Sequence, residues 1–180
     1  LTSGPHTNPW LQETSERVIQ AGDLVAFDTD AVGCYGYYSD FSRTFLCGDG
    51  AASPQQRDLY RLAREQLEFN FELLRPGLSF REFAEKAWPI PARFQKNRYL
   101  SVLHGCGMTG EYPIVAHKMD WESVGHDDDS VFEPGMSICV ESFIGDDAGG
   151  EGVKLEEQVI VTETGAQRLS IYRYDERLGG

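Results

Sequence analysis

The sequence predicts an α+β fold in which helices cover one face of an antiparallel sheet. Short apolar runs with strand character lie in the first 50 residues and again after residue 98, and a segment with helical periodicity separates them. The predicted order of elements is β-β-α-α-β-β-β, with strands that can pair as antiparallel neighbours. This order indicates an α+β layer architecture.

The amino-terminal part leads into two strands. Residues 1–12 are rich in turn formers and aromatic side chains and predict an extended segment and a loop. Residues 13–21 are expected to form one or two turns of helix, followed by a tight turn. Strands are predicted at residues 24–28 and near residues 41–47, because both runs are apolar and end in polar or glycine-rich turns.

Two helices follow. Ser53 is a favourable N-cap before Pro54, and apolar residues then recur at helical spacing until Pro76 and Gly77 end the run. A shorter helix starts at Ser79, which forms a capping-box pattern with Glu82, and stops before the prolines that follow.

The carboxyl-terminal part is predicted to be β-rich. Residues 99–103 form a short strand that ends at His104, and residues 117–130 are polar and read as a loop. Two further strands are predicted at residues 136–143 and 153–161. The glycine-rich residues 145–152 between them are typical of a hairpin connection.

Composition restricts the function. The chain has 180 residues, 41% apolar and 25% charged, which suits a single globular domain. Its net charge of −13 disfavours nucleic acid and anionic membranes as partners. No apolar run is long enough to cross a bilayer, and no signal-peptide pattern is present. We therefore expect a cytoplasmic protein.

The four cysteines agree with that compartment. Cys34, Cys47, Cys106 and Cys139 show no C-x-x-C spacing, so reduced thiols are favoured over a disulfide framework.

Three carboxylates, Asp28, Asp30 and Asp40, lie close together in the sequence. Antiparallel pairing of the first two strands through residues 31–37 would bring all three to one end of a sheet. Carboxylates held that close repel one another unless a cation lies between them. A divalent metal ion is the natural candidate, although a single Asp at a strand end is more often a turn residue.

Three later residues complete a candidate ligand set. His104 lies beside glycines at a strand end, and Glu141 and Glu156 lie inside apolar strands, where an unpaired carboxylate costs several kcal/mol. Five carboxylates and one imidazole suit two divalent ions bridged by carboxylates.

The whole pattern resembles the pita-bread superfamily of methionine aminopeptidase, prolidase, aminopeptidase P and creatinase. The resemblance rests on five motifs in the same order: Gly22-Asp-Leu-Val-Ala-Phe-Asp28, Tyr38-Ser-Asp40-Phe-Ser-Arg-Thr44, His104-Gly-Cys-Gly107, Glu133-Pro-Gly-Met-Ser-Ile-Cys-Val-Glu141 and Val153-Lys-Leu-Glu156.

The resemblance implies a curved antiparallel sheet covered by helices and two metal ions. The ligands it implies are Asp28, Asp40, His104, Glu141 and Glu156. It also implies a homodimer, and a creatinase-like catalytic domain over residues 1–180 that lacks the amino-terminal domain of the family. The expected fold is then an incomplete, carboxyl-terminal portion of the pita-bread.

Within the superfamily, the sequence is most similar to the metal-dependent dimethylsulfoniopropionate lyases. The similarity includes residues 2–13, Phe27-Asp-Thr-Asp30, Gln56-Arg-Asp-Leu-Tyr60, Gly107-Met108 and Glu111-Tyr-Pro113. In these lyases a second Asp joins the ligands, which makes Asp30 a sixth ligand here. The resemblance favours iron, with Mn, Zn, Co or Ni as alternatives.

The departures from both patterns bear on the reaction. The peptidases carry a His in a His-Glu-x-Pro motif where this chain has Gly110-Glu-Tyr-Pro113, and another His where it has Trp10-Leu11. The lyases place a catalytic Asp at the position of Gly110, and glycine cannot transfer a proton. Glu111 is therefore the candidate catalytic base.

Three functions remain open at this point. The first is a lyase that cleaves dimethylsulfoniopropionate, a small zwitterion, to acrylate and dimethyl sulfide. Aromatic side chains would contact its sulfonium cation, above all Trp10, Tyr38 and Tyr112. The alternatives are a dinuclear metallopeptidase of the prolidase or aminopeptidase P type and an inactive homologue that uses the fold for binding.

Overall fold

The computed structural model describes residues 1–10, 13–124 and 130–179. Its strands are β1 (Thr2–Ser3), β2 (Leu24–Asp28), β3 (Ala31–Val32), β4 (Tyr38–Ser39), β5 (Ser42–Leu46), β6 (Ser101–Gly105), β7 (Ile114–Ala116), β8 (Ser137–Gly145), β9 (Gly152–Val161) and β10 (Ala166–Arg168). The helices are α1 (Pro54–Leu73), α2 (Phe80–Lys86) and α3 (Trp121–Val124). The α+β class predicted from the sequence is confirmed.

The strands form two main sheets where a single sheet was expected. The first has the order β1-β2-β5 and the second the order β10-β9-β8-β6-β7, while β3, at the start of the predicted loop 31–37, pairs with β4 directly after that loop. All pairings among the described strands are antiparallel. At the junction, the Thr44 hydroxyl donates to the Lys154 carbonyl and accepts from the Lys154 amide, so side-chain hydrogen bonds join β5 to β9.

The helices cover one face of the five-stranded sheet. Helix α1 starts at the capping box of Ser53 and Gln56, and its buried stripe packs against β8 and β9. The Ser142 hydroxyl donates to the Ala63 carbonyl across this interface. The buried core lies between these helices and the sheet, so the opposite face of β8 and β9 is free to carry polar side chains.

The outer face of the three-stranded sheet is apolar and carries no α-helix among the described residues. Phe27 is 41% exposed, and Phe41 and Phe45 border a groove of about 890 Å³ lined with residues 170–177. In the five-stranded sheet, by contrast, the outer face is buried beneath α1 and α2.

One predicted helix is wrong. Residues 13–21 form no helix; Arg17 instead donates to Ser3 and to both carboxylate oxygens of Asp23, which anchors this segment against β1. Val18 is 78% exposed, so this apolar side chain contributes nothing to the core.

The predicted loop 117–130 also needs correction, because α3 lies within it, while residues 125–129 are outside the described part, as are Leu11 and Gln12. No helix in the described ranges is both long and apolar enough to cross a membrane. Cys34, Cys47, Cys106 and Cys139 are all free.

Candidate metal centre

Sheet register brings the predicted ligands together. Glu141 on β8 and Glu156 on β9 are directly opposite each other, and side chains opposite each other in an antiparallel pair lie on the same face. His104 on β6 is opposite Cys139, two residues before Glu141 on the same face of β8. Asp28 ends β2. The face that carries these groups is the one that the helices leave free.

His104 lies at the centre of a buried cluster. Its Nε2 is 3.1 Å from Oε1 of Glu141, 3.5 Å from Oε1 of Glu156 and 3.8 Å from Oδ2 of Asp40. All four residues are buried. A second group, formed by Asp28, Asp30 and Asp40, has one oxygen from each carboxylate within 4.8 Å of the others. Asp40 therefore belongs to both groups.

The donor atoms fit metal ions. Oδ1 of Asp40 and Oε1 of Glu156 are buried and have no hydrogen-bond partner. Leaving a buried carboxylate oxygen unpaired is costly, whereas a cation would satisfy both atoms. The oxygen and imidazole donors suit divalent transition metals, and Asp40, which belongs to both groups, would be available to either of two bound ions.

Lys154 is a member of the cluster that sequence reasoning missed. Its ammonium group donates to Glu141, to Oε2 of Glu156 at 3.0 Å and to the Ser42 hydroxyl at 3.1 Å, and it is fully buried. The sequence did contain a signal, because a residue two positions before Glu156 on a strand must share its face. Lys154 supplies positive charge that offsets the crowded carboxylates.

Burial and mutual repulsion change the pKa values of the ligands. Burial, together with the charges of Glu156, Asp28 and Asp30, raises the pKa of Asp40 to about 9. Burial and Glu156 raise the pKa of Glu141 to about 7. Burial would lower the pKa of His104, but its hydrogen bond to Glu141 and the nearby carboxylate of Glu156 outweigh that effect and raise the pKa to about 12.

The pKa values of Glu156 and Asp30 shift in opposite directions. Burial would raise the pKa of Glu156, but Lys154 and His104 hold it below its usual range. Burial raises the pKa of Asp30, and the charges of Asp28 and Glu156 add to the effect. Without metal, then, the cluster keeps protons that a metal ion must displace.

Metal-free protein should become less stable as the pH rises. The pKa of the Asp40 carboxyl group rises from 3.8 to about 9 on folding. Its stabilising contribution is therefore fully present below pH 3.8 and lost as the pH rises through 9. The pKa of Glu141 is raised from 4.5 to about 7, so its contribution to stability is also lost as the pH rises. We expect the free energy of unfolding of chelated protein to fall between about pH 5 and pH 9.

Metal-loaded protein should show the opposite trend, because metal binding strengthens as the ligands lose their protons. Urea unfolding at several pH values, with chelator or with excess Mn²⁺, measures both trends. Equal pH dependence of the two forms would contradict this account of the cluster.

A cavity of about 610 Å³ opens beside the carboxylates. It is lined by Leu1, Thr2, Trp10, Glu13, Thr14, Asp28, Asp30, Tyr99 and Glu111. The predicted base Glu111 and the predicted contact Trp10 are therefore both on this cavity. Tyr99 and Glu13 were not singled out from the sequence, because neither lies in a ligand motif.

The other two predicted substrate contacts lie elsewhere. Tyr112 is 72% exposed and lines a separate cavity of about 310 Å³ with Cys106 and Met108. Tyr38 packs beside Gly110, where a Cβ atom would come within 3.3 Å of the Tyr38 ring. Neither tyrosine lines the cavity beside the carboxylates, so their contact with substrate stays a prediction.

Curated proteins with similar sequences include lyases and dipeptidases. The chain is 39% identical over 180 residues to dimethylsulfoniopropionate lyase DddP of Roseovarius nubinhibens, covering 100% of this chain and 40% of that protein. It is 31% identical over 159 residues to the Xaa-Pro dipeptidase of Pyrococcus furiosus, covering 87% of this chain and 42% of that protein. The chain thus spans about 40% of the length of these relatives.

Solved structures of dipeptidases have folds similar to that of this chain. The prolidase from Pyrococcus furiosus superposes with a TM-score of 0.75 at 29% identity, over 95% of this chain and 48% of the other. The Xaa-Pro dipeptidase from Bacillus anthracis gives a TM-score of 0.77 at 28% identity, over 96% of this chain and 46% of the other. The family model of metallopeptidase family M24 matches residues 1–163. The chain therefore belongs to metallopeptidase family M24 and has the pita-bread fold predicted from its motifs.

Proposed function

We propose that this chain forms the metal-dependent catalytic domain of a lyase that cleaves dimethylsulfoniopropionate to acrylate and dimethyl sulfide. The observation that carries the proposal is the position of Asp30, whose carboxylate lies within 4.8 Å of those of Asp28 and Asp40. The resemblance to the lyases implies a second Asp ligand at this position, where the peptidases usually supply only one Asp. The 39% identity to the Roseovarius nubinhibens lyase supports the same choice.

The cavity suits a small zwitterion. The rings of Trp10 and Tyr99 line it, and aromatic faces attract cations such as sulfonium electrostatically. We therefore place the sulfonium group against Trp10 and Tyr99 and the substrate carboxylate near the ligand cluster.

Elimination then needs one base. Glu111 on the cavity wall removes a proton from the carbon next to the substrate carboxylate, and the electron pair of that C–H bond forms the new C=C bond. The C–S bond breaks and its electrons leave with dimethyl sulfide, and Glu111 later passes its proton to water. Bound divalent ions would act as Lewis acids that stabilise charge developing on the carboxylate.

The metal, the assembly and the compartment complete the proposal. We place two divalent transition-metal ions on Asp28, Asp30, Asp40, His104, Glu141 and Glu156. Iron is favoured by the resemblance to the lyases, and a homodimer is expected on the same ground. The free thiols agree with a cytoplasmic protein.

An X-Pro dipeptidase is the second candidate, supported by the 31% identity to the Pyrococcus furiosus enzyme. It would use the same ions but lacks the two histidines of the peptidase pattern, at the positions of Trp10-Leu11 and Gly110. The third candidate, a binding domain without activity, leaves unexplained why six ligands and the unpaired oxygens of Asp40 and Glu156 are retained.

One comparison separates the three. Protein reconstituted with Fe²⁺ or Mn²⁺ is assayed for acrylate from dimethylsulfoniopropionate and for proline from X-Pro dipeptides, with chelated protein as the control. We expect metal-dependent acrylate and no proline. Proline alone would establish the dipeptidase. The absence of both products would favour the binding domain.

A further inference from the structure

Cys139 faces the metal centre. It is fully buried on β8, directly opposite His104 and two residues before Glu141, so its side chain projects from the same face as both ligands. No pattern in the sequence had assigned it a role beyond that of a reduced thiol.

The Cys139 sulfur lies within reach of a metal ion held by the other ligands. Its Sγ and one donor atom each from Asp40, His104 and Glu156 all lie within 4.8 Å of one another. Donors bonded to one tetrahedral ion at about 2.0–2.3 Å lie roughly 3.3–3.8 Å apart, so a group of this size is of the order that one ion can span.

A second observation points to a ligand at this place. Oδ1 of Asp40 and Oε1 of Glu156, on residues only 4% and 1% exposed, have no hydrogen-bond partner. The Cys139 thiol donates over 3.6 Å to the Asp40 carbonyl, and because a thiol is a weak donor, a metal–sulfur bond can replace this contact. Cys106 is the hydrogen-bonded neighbour of Cys139 and accepts from the Gln158 side chain at 3.4 Å, but it is not part of the four-atom group.

We propose that Cys139 is a thiolate ligand of the ion held by Asp40, His104 and Glu156. This inference rests on the metal centre of the proposed function and adds one donor to it. As the metal–sulfur bond forms, the thiol proton leaves to solvent. A sulfur donor favours Zn²⁺, Co²⁺ and Fe²⁺ over Mn²⁺, because thiolates bind softer ions more strongly.

Cobalt gives a direct optical test. Chelated protein in which Cys34 and Cys47, which are not buried, are replaced by Ser (C34S/C47S) is titrated with Co²⁺ and compared with the same protein carrying C139S or C106S. We expect a sulfur-to-cobalt charge-transfer band in the near ultraviolet that C139S abolishes and C106S preserves. Visible ligand-field bands should persist in all three proteins.

Affinity gives a second readout. We expect C139S to weaken Co²⁺ and Zn²⁺ binding by at least about tenfold and to weaken Mn²⁺ binding less. X-ray absorption of the cobalt-loaded parent protein should show a sulfur neighbour at about 2.3 Å, which needs no variant to fold.

The outcomes separate the two levels of the proposal. Ligand-field bands without a sulfur signal would overturn the role of Cys139 and leave the metal centre intact. A charge-transfer band lost in C106S and kept in C139S would assign the sulfur to Cys106. No cobalt binding at all would overturn both the sulfur ligand and the metal centre.

Discussion

Replacing Glu111 with Gln is expected to reduce acrylate formation by about 10²–10⁴-fold, the usual contribution of a positioned base. Glu111 lines the cavity beside Asp28 and Asp30 but is exposed and belongs to neither group of clustered ligands. The amide has nearly the same size and cannot accept the proton. Metal content and thermal stability should therefore remain unchanged while kcat falls.

Glu13 offers a matched control, because it is an exposed carboxylate that lines the same cavity. Glu13→Gln removes the same charge from the same space, and we expect less than a tenfold change in kcat from a side chain that transfers no proton. Metal content by elemental analysis and initial rates of acrylate release measure both variants. A large loss in Glu13→Gln with normal activity in Glu111→Gln would move the base to Glu13.

Replacing Lys154 with Met is expected to destabilise metal-free protein by about 3–5 kcal/mol, the usual cost of leaving a buried ion pair without one partner. The Lys154 ammonium group is fully buried and donates to Glu141, Glu156 and Ser42. Methionine has a similar volume and makes none of these bonds. Metal-loaded protein should lose less stability from this replacement, because bound divalent ions would supply positive charge to the same carboxylates.

Lys86→Met is the control for this experiment. Lys86 also pairs with a carboxylate, Glu82, but both side chains are nearly half exposed, and such pairs contribute about 0–1 kcal/mol. Urea unfolding with chelator and with excess Mn²⁺ compares the variants. This role for Lys154 would be contradicted if Lys154→Met lowered the free energy of unfolding no more than Lys86→Met does. It would also be contradicted if bound metal left the effect of Lys154→Met unchanged.

The elements that depend on local chemistry were predictable from the sequence. The capping residues Ser53 and Ser79 begin α1 and α2, and the glycine-rich turn joins β8 to β9 as expected. The predicted ligands His104, Glu141 and Glu156 also meet, because alternation along a strand fixes the face of each side chain.

The features that depend on distant contacts were not predictable. Residues 13–21 lack helix because Arg17 pairs with Ser3 and Asp23, and no periodicity reports such contacts. The division into two sheets depends on how β5 meets β9, which involves residues far apart in sequence. Glu13 joins the site only through the packing of the amino-terminal segment around it.

The pairing of β8 with β9 determines which insertions the protein can tolerate. Lys154 and Glu156 face the ligand cluster, while their neighbours Val153 and Leu155 are in the core beneath the helices. Extra residues in the turn between the strands would leave the nine paired positions unchanged. A single extra residue between Leu155 and Glu156 would reverse the faces beyond it, because side chains alternate along a strand. Glu156 would then enter the core, and the valines that follow would face the carboxylates. Natural length variation in this domain should therefore occur in the turn and be absent from β9.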